Sequence, residues 1–203
     1  MKIINCEQYT DAWWAARLGI PTSSQFSKIV TGKGEPSKQR EAYMYELAAE
    51  RLTGTQEDTF VSRAMEKGSE REELSRQVYE MEREVEVLQV GICLSDCGIW
   101  GASPDGLVGG DGLVELKNPL GKTQVERLLM SDPKLPAEYV QQVQGQIFVT
   151  EREWCDFVSY VPGLPLFVLH VYRDDLFCDK LEAALIAFCE ELDEVCAKIL
   201  KEA

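Results

Sequence analysis

Histidine is almost missing from this sequence: 203 residues contain one, His170. The seven cysteines stand at 6, 93, 97, 155, 178, 189 and 196, in an odd number and with no CxxC pair. A Cys/His zinc cluster therefore has nothing to assemble from, and reduced, mostly buried thiols are the expectation. Positive charge is scarce as well. Lys and Arg number 21 against 35 Asp and Glu, a formal charge of −14, which excludes a uniformly basic coat for nucleic acid. A local patch around a bound cation is not excluded, because it can attract phosphate while the outer face repels it. No apolar run approaches the ~18 residues of a membrane span, and the first residues carry no basic segment leading into an apolar stretch. A cytoplasmic protein without membrane contact is expected. Internal repeats, low-complexity tracts and long Pro/Gly/Ser linkers are lacking too, so residues 1–203 are expected to form one domain. At 45% hydrophobic and 28% charged, the composition suffices for an ordinary core.

The pattern of residues present predicts helices around a group of strands. A short helix is expected over Gln8–Leu18, stopped by Gly19 and Pro21, and a second over Ser37–Thr53, ended by Gly54. A third should span Val61–Met81. Strand signals follow at Val85–Val90 with Ile92, at Ile99–Ser103 and at Leu113–Lys117, with a glycine-rich tip at Gly109, Gly110 and Gly112. A helix over Pro136–Val149 precedes strands at Cys155–Val161 and Leu166–Arg173. The chain ends in a long amphipathic helix over about 175–200, whose apolar stripe includes Phe177, Leu181, Leu185, Phe188 and Leu192. The expected class is α/β (α+β): a central mixed β-sheet flanked by helices.

The densest chemical signal is Ser103-Pro104-Asp105-Gly106 followed by Glu115-Leu116-Lys117. Alternation along a strand puts Glu115 and Lys117 on one face and Val114 and Leu116 on the other. If the hairpin closes with Val108 opposite Gly112, Asp105 falls opposite Glu115, near enough for two carboxylates to share a cation. Two carboxylates and a backbone carbonyl suit Mg²⁺, with Mn²⁺ as a substitute. Lys117 can then hold a water for in-line attack on a phosphodiester. An exposed hairpin with an ordinary Glu–Lys alternation reads the same way locally. The apolar neighbours Leu113, Val114 and Leu116 argue for a charged pair near a core, where an idle charge is expensive. His170 reads as a satisfied strand histidine, and Trp13 and Trp14 as core residues rather than DNA-stacking ones.

Pro104-Asp105 with Glu115-Leu116-Lys117 resembles the PD-(D/E)-x-K nuclease signature. The wider order resembles the phage lambda-type exonucleases, a family of viral recombinase nucleases, over about residues 8–200. It comprises Trp13-x₃-Arg17-Leu-Gly-x₂-Thr22-x-Ser24, Gly68-x₃-Glu72, the hairpin, Tyr139-x₂-Gln142-Val-Gln144, and the region of Trp154, Tyr160 and Pro162. The resemblance implies a restriction-endonuclease-like core making up the single nuclease domain. It also implies that Asp105 and Glu115 ligate Mg²⁺ with the carbonyl of Leu116, that Lys117 positions the attacking water, and that Glu72 reaches the cluster from its helix. Gln142 would bond the nucleophile or scissile phosphate. Arg17, Ser24 and Ser103 would hold a terminal 5′-phosphate, for which a guanidinium fork and hydroxyls are chemically suited.

By the same resemblance the activity is 5′→3′ digestion of double-stranded DNA ends, releasing 5′-mononucleotides and leaving 3′ single strands for a single-strand annealing protein. A ring-shaped homotrimer is implied, with Lys28, Lys33, Lys38, Arg40, Lys122 and Arg127 as candidate channel residues. Two other readings share the sequence: an endonuclease or nickase of the same fold, and a catalytically silent acidic interaction module.

Overall fold

The computed structural model describes residues 1–56 and 63–202, apart from the side chains of 63–70 and 202. In chain order the elements are β1 (Lys2–Ile4), α1 (Asp11–Arg17), a 3₁₀ turn (Ser23–Lys28), α2 (Arg40–Thr53), α3 (Arg63–Arg83), β2 (Val87–Leu88), β3 (Ile92–Leu94), β4 (Gly101–Ala102), β5 (Gly106–Val108) and β6 (Gly112–Lys117). They continue with α4 (Gly121–Leu128), a 3₁₀ turn (Ala137–Tyr139), α5 (Val140–Thr150), β7 (Trp154–Ser159), β8 (Phe167–Tyr172) and α6 (Asp175–Glu202). The expected start of the third helix at Val61 lies outside the described residues.

The strands form two sheets, β1-β3-β4 and β2-β5-β6-β7-β8. The larger is mixed: β6 and β7 run parallel, and its other neighbours are antiparallel. The single strand expected over Val85–Ile92 is divided between the sheets. Gly91 lies at the crossing, and a Cβ there would come within 2.5 Å of the Cys6 carbonyl, so only glycine lets the chain pass.

The β5–β6 hairpin has the expected register, with Gly106 opposite Val114 and Val108 opposite Gly112. Its faces separate as alternation requires. Val114 and Leu116 pack with Tyr79, Val87, Val108 and Val158 under α3, whereas Leu113 belongs to the larger core with Phe157, Ile147 and the apolar stripe of α6. That larger core joins α2, α5 and α6 through Tyr43, Leu47, Val143, Ile147, Leu181, Leu185 and Phe188.

Two helices depart from expectation for physical reasons. The first begins at Asp11 rather than Gln8, because Tyr9 takes a left-handed conformation and Gln8 is spent on loop carbonyls. Helix α4 has no buried apolar stripe to announce it. Its inward residues are Gln124 and Arg127, while Val125 on the helix and Leu120 and Leu129 at its ends are exposed. Arg127 therefore does not line a channel: it is buried over the Phe157 ring and donates to Ser159 Oγ at 2.7 Å. Arg40 and Lys28 are likewise engaged, with Glu191 and Glu46. Lys33, Lys38 and Lys122 are exposed.

Candidate active site

Glu115 sits in the middle of β6 with its side chain turned toward α5 and only 1% exposed. Three donors hold it. Lys117 Nζ and Gln142 Nε2 donate to Oε1 at 2.5 and 2.6 Å, and Gln146 Nε2 donates to Oε2 at 2.6 Å. Asp105, just before β5, accepts the Leu116 N–H on Oδ2 at 2.6 Å. Glu72 approaches from α3, two turns before the buried Tyr79 and on the same side of the helix. Its neighbour Glu73 is exposed at the cavity rim and pairs with Arg76, which also lines the cavity, and with Gln77. Glu70 and Gly68 of the same helix lie outside the described side chains. Glu72, Asp105, Leu116, Gln8 and Tyr9 line one cavity of about 390 Å³.

A cationic pocket adjoins these anions. Arg17, at the end of α1, donates to Ser103 Oγ at 3.1 Å, to Thr22 Oγ1 at 2.9 Å and, at 3.4 Å, to Ser24 Oγ. Its guanidinium lies 4.2 Å from the Trp13 ring centroid. The buried Trp13 donates its indole N–H to both the Gly91 carbonyl and Ser103 Oγ at 3.0 Å, which fixes the serine. Arg17 also opens on a second cavity, about 290 Å³, whose wall carries Thr22 and Lys28 but also Glu46 and Glu50. Ser103 and Asp105 are two residues apart, so one turn of backbone carries both pockets.

Burial, then Glu115 and Glu72, raise the pKa of Asp105 well above the usual carboxylate range, against the opposing pull of Lys117 and the Leu116 N–H. Burial and Glu115 raise Glu72 in the same way. For Lys117, burial disfavours the ammonium, but Glu115 and Asp105 more than offset this and leave its pKa above the ordinary lysine value. Burial also lowers Arg17, against the opposing pull of Tyr43, Tyr9 and Glu50, and its guanidinium donates to the hydroxyls of Ser103, Thr22 and Ser24. One pocket thus has surplus negative charge and the other a desolvated cation.

The donors of the first pocket fit a hard divalent cation. They are carboxylate oxygens beside the Leu116 backbone, and their mutual repulsion is what a cation relieves. Among the described residues no three His, Cys, Asp or Glu side chains converge tightly enough to cage an ion. An ion bound there would take Asp105 as a carboxylate ligand and complete its shell with backbone oxygen and water.

Of the site residues named from the sequence, Glu72, Asp105 and Leu116 line the first cavity and Arg17 the second; Ser24 and Ser103 bond Arg17, and Lys117 and Gln142 bond Glu115 rather than facing open space. Gln144 of the same motif points elsewhere, to the Tyr172 carbonyl and the Asp174 N–H. Three neighbours went unassigned: Thr22, Gln146 and Tyr9. The i, i+4 spacing of Gln142 and Gln146 was the available signal for the second. Tyr9 was visible only as an aromatic; its φ of +66° is unusual for a bulky side chain and costs about 1–3 kcal/mol.

With this geometry in hand, comparison with known proteins is consistent. A family model described as the YqaJ-like viral recombinase domain matches residues 12–153. An alkaline exonuclease (LHK-Exo) from Laribacter hongkongensis has a similar structure: TM-score 0.83, 38% identity, 95% of this chain and 97% of that one covered. The same figures hold for LHK-Exo in complex with dAMP. A phage related exonuclease from Haemophilus somnus 129PT shares the fold at TM-score 0.67 and 16% identity, over 89% of this chain and 96% of that one. No curated protein matches the sequence. The chain belongs to the YqaJ-like viral recombinase family, of the lambda-exonuclease type.

Proposed function

We propose that this protein is a DNA exonuclease that degrades double-stranded ends 5′→3′ in Mg²⁺, with Mn²⁺ as a substitute. It releases 5′-mononucleotides and leaves a 3′ single strand. The observation that carries this reading is the adjacency of two complementary pockets on Ser103-Pro104-Asp105. Arg17, Ser103, Thr22 and Ser24 offer a guanidinium and hydroxyls to a terminal phosphate. Asp105, Glu115 and Lys117 face the phosphodiester beyond it. The family match and the alkaline exonuclease relative support a nuclease of this kind.

When bound by Asp105, Glu115 and the Leu116 carbonyl, the cation supplies charge neutralisation for the phosphoryl group and a more acidic water. The chain's own residues do the rest. Lys117, held as an ammonium, orients the attacking water and offsets the charge that develops on the phosphate oxygens. Gln146 anchors the second oxygen of Glu115, which keeps the carboxylate in place while Gln142 and Lys117 exchange their bonds on the first for substrate. Glu72 adds a further carboxylate to the cavity wall. As the fold family implies, three copies would form a ring around the duplex, and the product strand would pass to a single-strand annealing protein.

The deciding assay is an end-labelled linear duplex with and without a 5′-phosphate, in Mg²⁺, beside a closed circle. The expected result is release of mononucleotides from the 5′ end, faster with the phosphate, and an intact circle. Cutting of the circle would make the protein an endonuclease or nickase. No cleavage in either metal would make it an acidic binding module. Light scattering that gives a mass other than three protomers would remove the ring.

A further inference from the structure

Tyr9 combines features that ordinary packing does not explain. Its backbone is left-handed, at φ +66°, where glycine would sit without strain. Burial does not compensate, because the side chain is 49% exposed. Yet the residue is firmly placed. The preceding Gln8 donates its amide to the carbonyls of Val90 and Pro104 at 3.0 and 2.9 Å, tying this loop to the residue before Asp105. The Tyr9 ring packs on Trp13 with centroids 5.1 Å apart, and Trp13 carries Arg17. A row of Tyr9, Trp13 and Arg17 thus runs from the carboxylate cavity, which Tyr9 lines, to the phosphate pocket.

We infer that Tyr9 is a substrate-binding residue whose ring is the platform for the 5′-terminal nucleotide, between its terminal phosphate and the phosphodiester to be cut. The inference deepens the exonuclease reading and rests on it. An exposed aromatic face suits a nucleotide of any sequence, because every base offers a π-face. The phenol suits the place as well. It is uncharged at neutral pH, so the ring brings no further negative charge toward phosphate. The strained backbone then has a purpose, since it aims the ring into the cavity.

The test uses 5′-phosphorylated duplex with 2-aminopurine as the terminal base, bound in Ca²⁺, followed by steady-state digestion in Mg²⁺. Stacking quenches the fluorophore. Wild type and Tyr9→Phe should quench it; Tyr9→Ala and Tyr9→Gly should lose most of the quench and raise KM about tenfold, with kcat little changed. All four should keep their preference for a 5′-phosphate. Tyr9→Gly should also melt higher than Tyr9→Ala, because glycine relieves the backbone. Wild-type quench and KM in both small variants, on duplex that is still digested, overturn the platform alone. So does a joint loss of quench and 5′-phosphate preference, which would reduce Tyr9 to a support for Trp13. Duplex that wild type neither binds nor digests overturns both this inference and the exonuclease reading.

Discussion

Two carboxylates lie buried on adjacent strands of the same sheet, Glu115 on β6 and Asp156 on β7, and they face opposite sides of it. Asp156 is surrounded by partners that supply protons or positive charge. Tyr79 donates its hydroxyl at 2.8 Å, the His170 Nδ1 lies 2.6 Å away, and Arg83 approaches to 3.5 Å. Glu115 also has three donors, but it shares its surroundings with Asp105 and Glu72, both of which are raised by it. Burial of a charge is therefore not what marks a site. The mark is negative charge left over after the local donors are counted, next to a cavity.

Substitution should separate the two carboxylates sharply. The largest effect is expected for Asp105→Ala and Glu115→Ala, which should abolish cleavage in Mg²⁺ while the protein stays folded and still binds DNA ends. Asp156→Ala should do the reverse. It strands the Tyr79 hydroxyl in the core and should cost about 1–3 kcal/mol of stability, with single-turnover cleavage near normal. Near-normal turnover in either active-site variant would collapse the distinction.

Lys117→Ala comes next. It should slow pre-bound duplex started with Mg²⁺ far more than it weakens end binding titrated in Ca²⁺. Lys117→Arg should also be poor, because a planar guanidinium does not replace a compact ammonium. A normal rate with collapsed affinity would make Lys117 a backbone-phosphate anchor. A smaller and more selective effect is expected for Arg17→Ala. It should erase most of the preference for 5′-phosphorylated ends, worth about 1.5–3 kcal/mol for a charge-assisted contact. An equal loss on both kinds of end would assign Arg17 to general DNA binding.

The sequence made these centres legible unevenly. The hairpin register could be read because glycines mark its tip and apolar residues flank Glu115, and that register places Asp105 beside β6. The class of fold and the long final helix followed from periodicity alone, since α6 buries one continuous stripe. Asp156 was overlooked, because its compensation comes from Tyr79 and His170, far away in sequence. Helix α4 was overlooked because it inverts the usual pattern, with a glutamine and an arginine inside. Arg127 was misassigned for the same reason: nothing local tells a channel arginine from one that braces Ser159. Arg17, Ser24 and Ser103 came from the family pattern, because a pocket made by a helix end, a turn and a strand end has no single-segment signature.

The surplus charge at Asp105 and Glu72 also sets the pH behaviour. A carboxyl whose folded pKa lies above its ordinary value keeps a proton that the unfolded chain has released. Stability of the metal-free protein should therefore fall as pH rises from the ordinary carboxylate value toward the raised ones. Lys117, raised above its ordinary 10.5, contributes stability that persists at neutral pH and is lost only in strong alkali. A thermal scan between pH 4 and 8 checks the sign, and Asp105→Asn should flatten the decline.

The most direct measurement is the melting temperature of wild type and Asp105→Asn at neutral pH, each without divalent metal and with Mg²⁺ or Mn²⁺ added. If the carboxylate centre is built to take a cation, Asp105→Asn melts higher than wild type without metal, and added metal raises wild type but leaves the variant unchanged. A variant that melts lower without metal, or a wild type that does not respond to either ion, would contradict that claim.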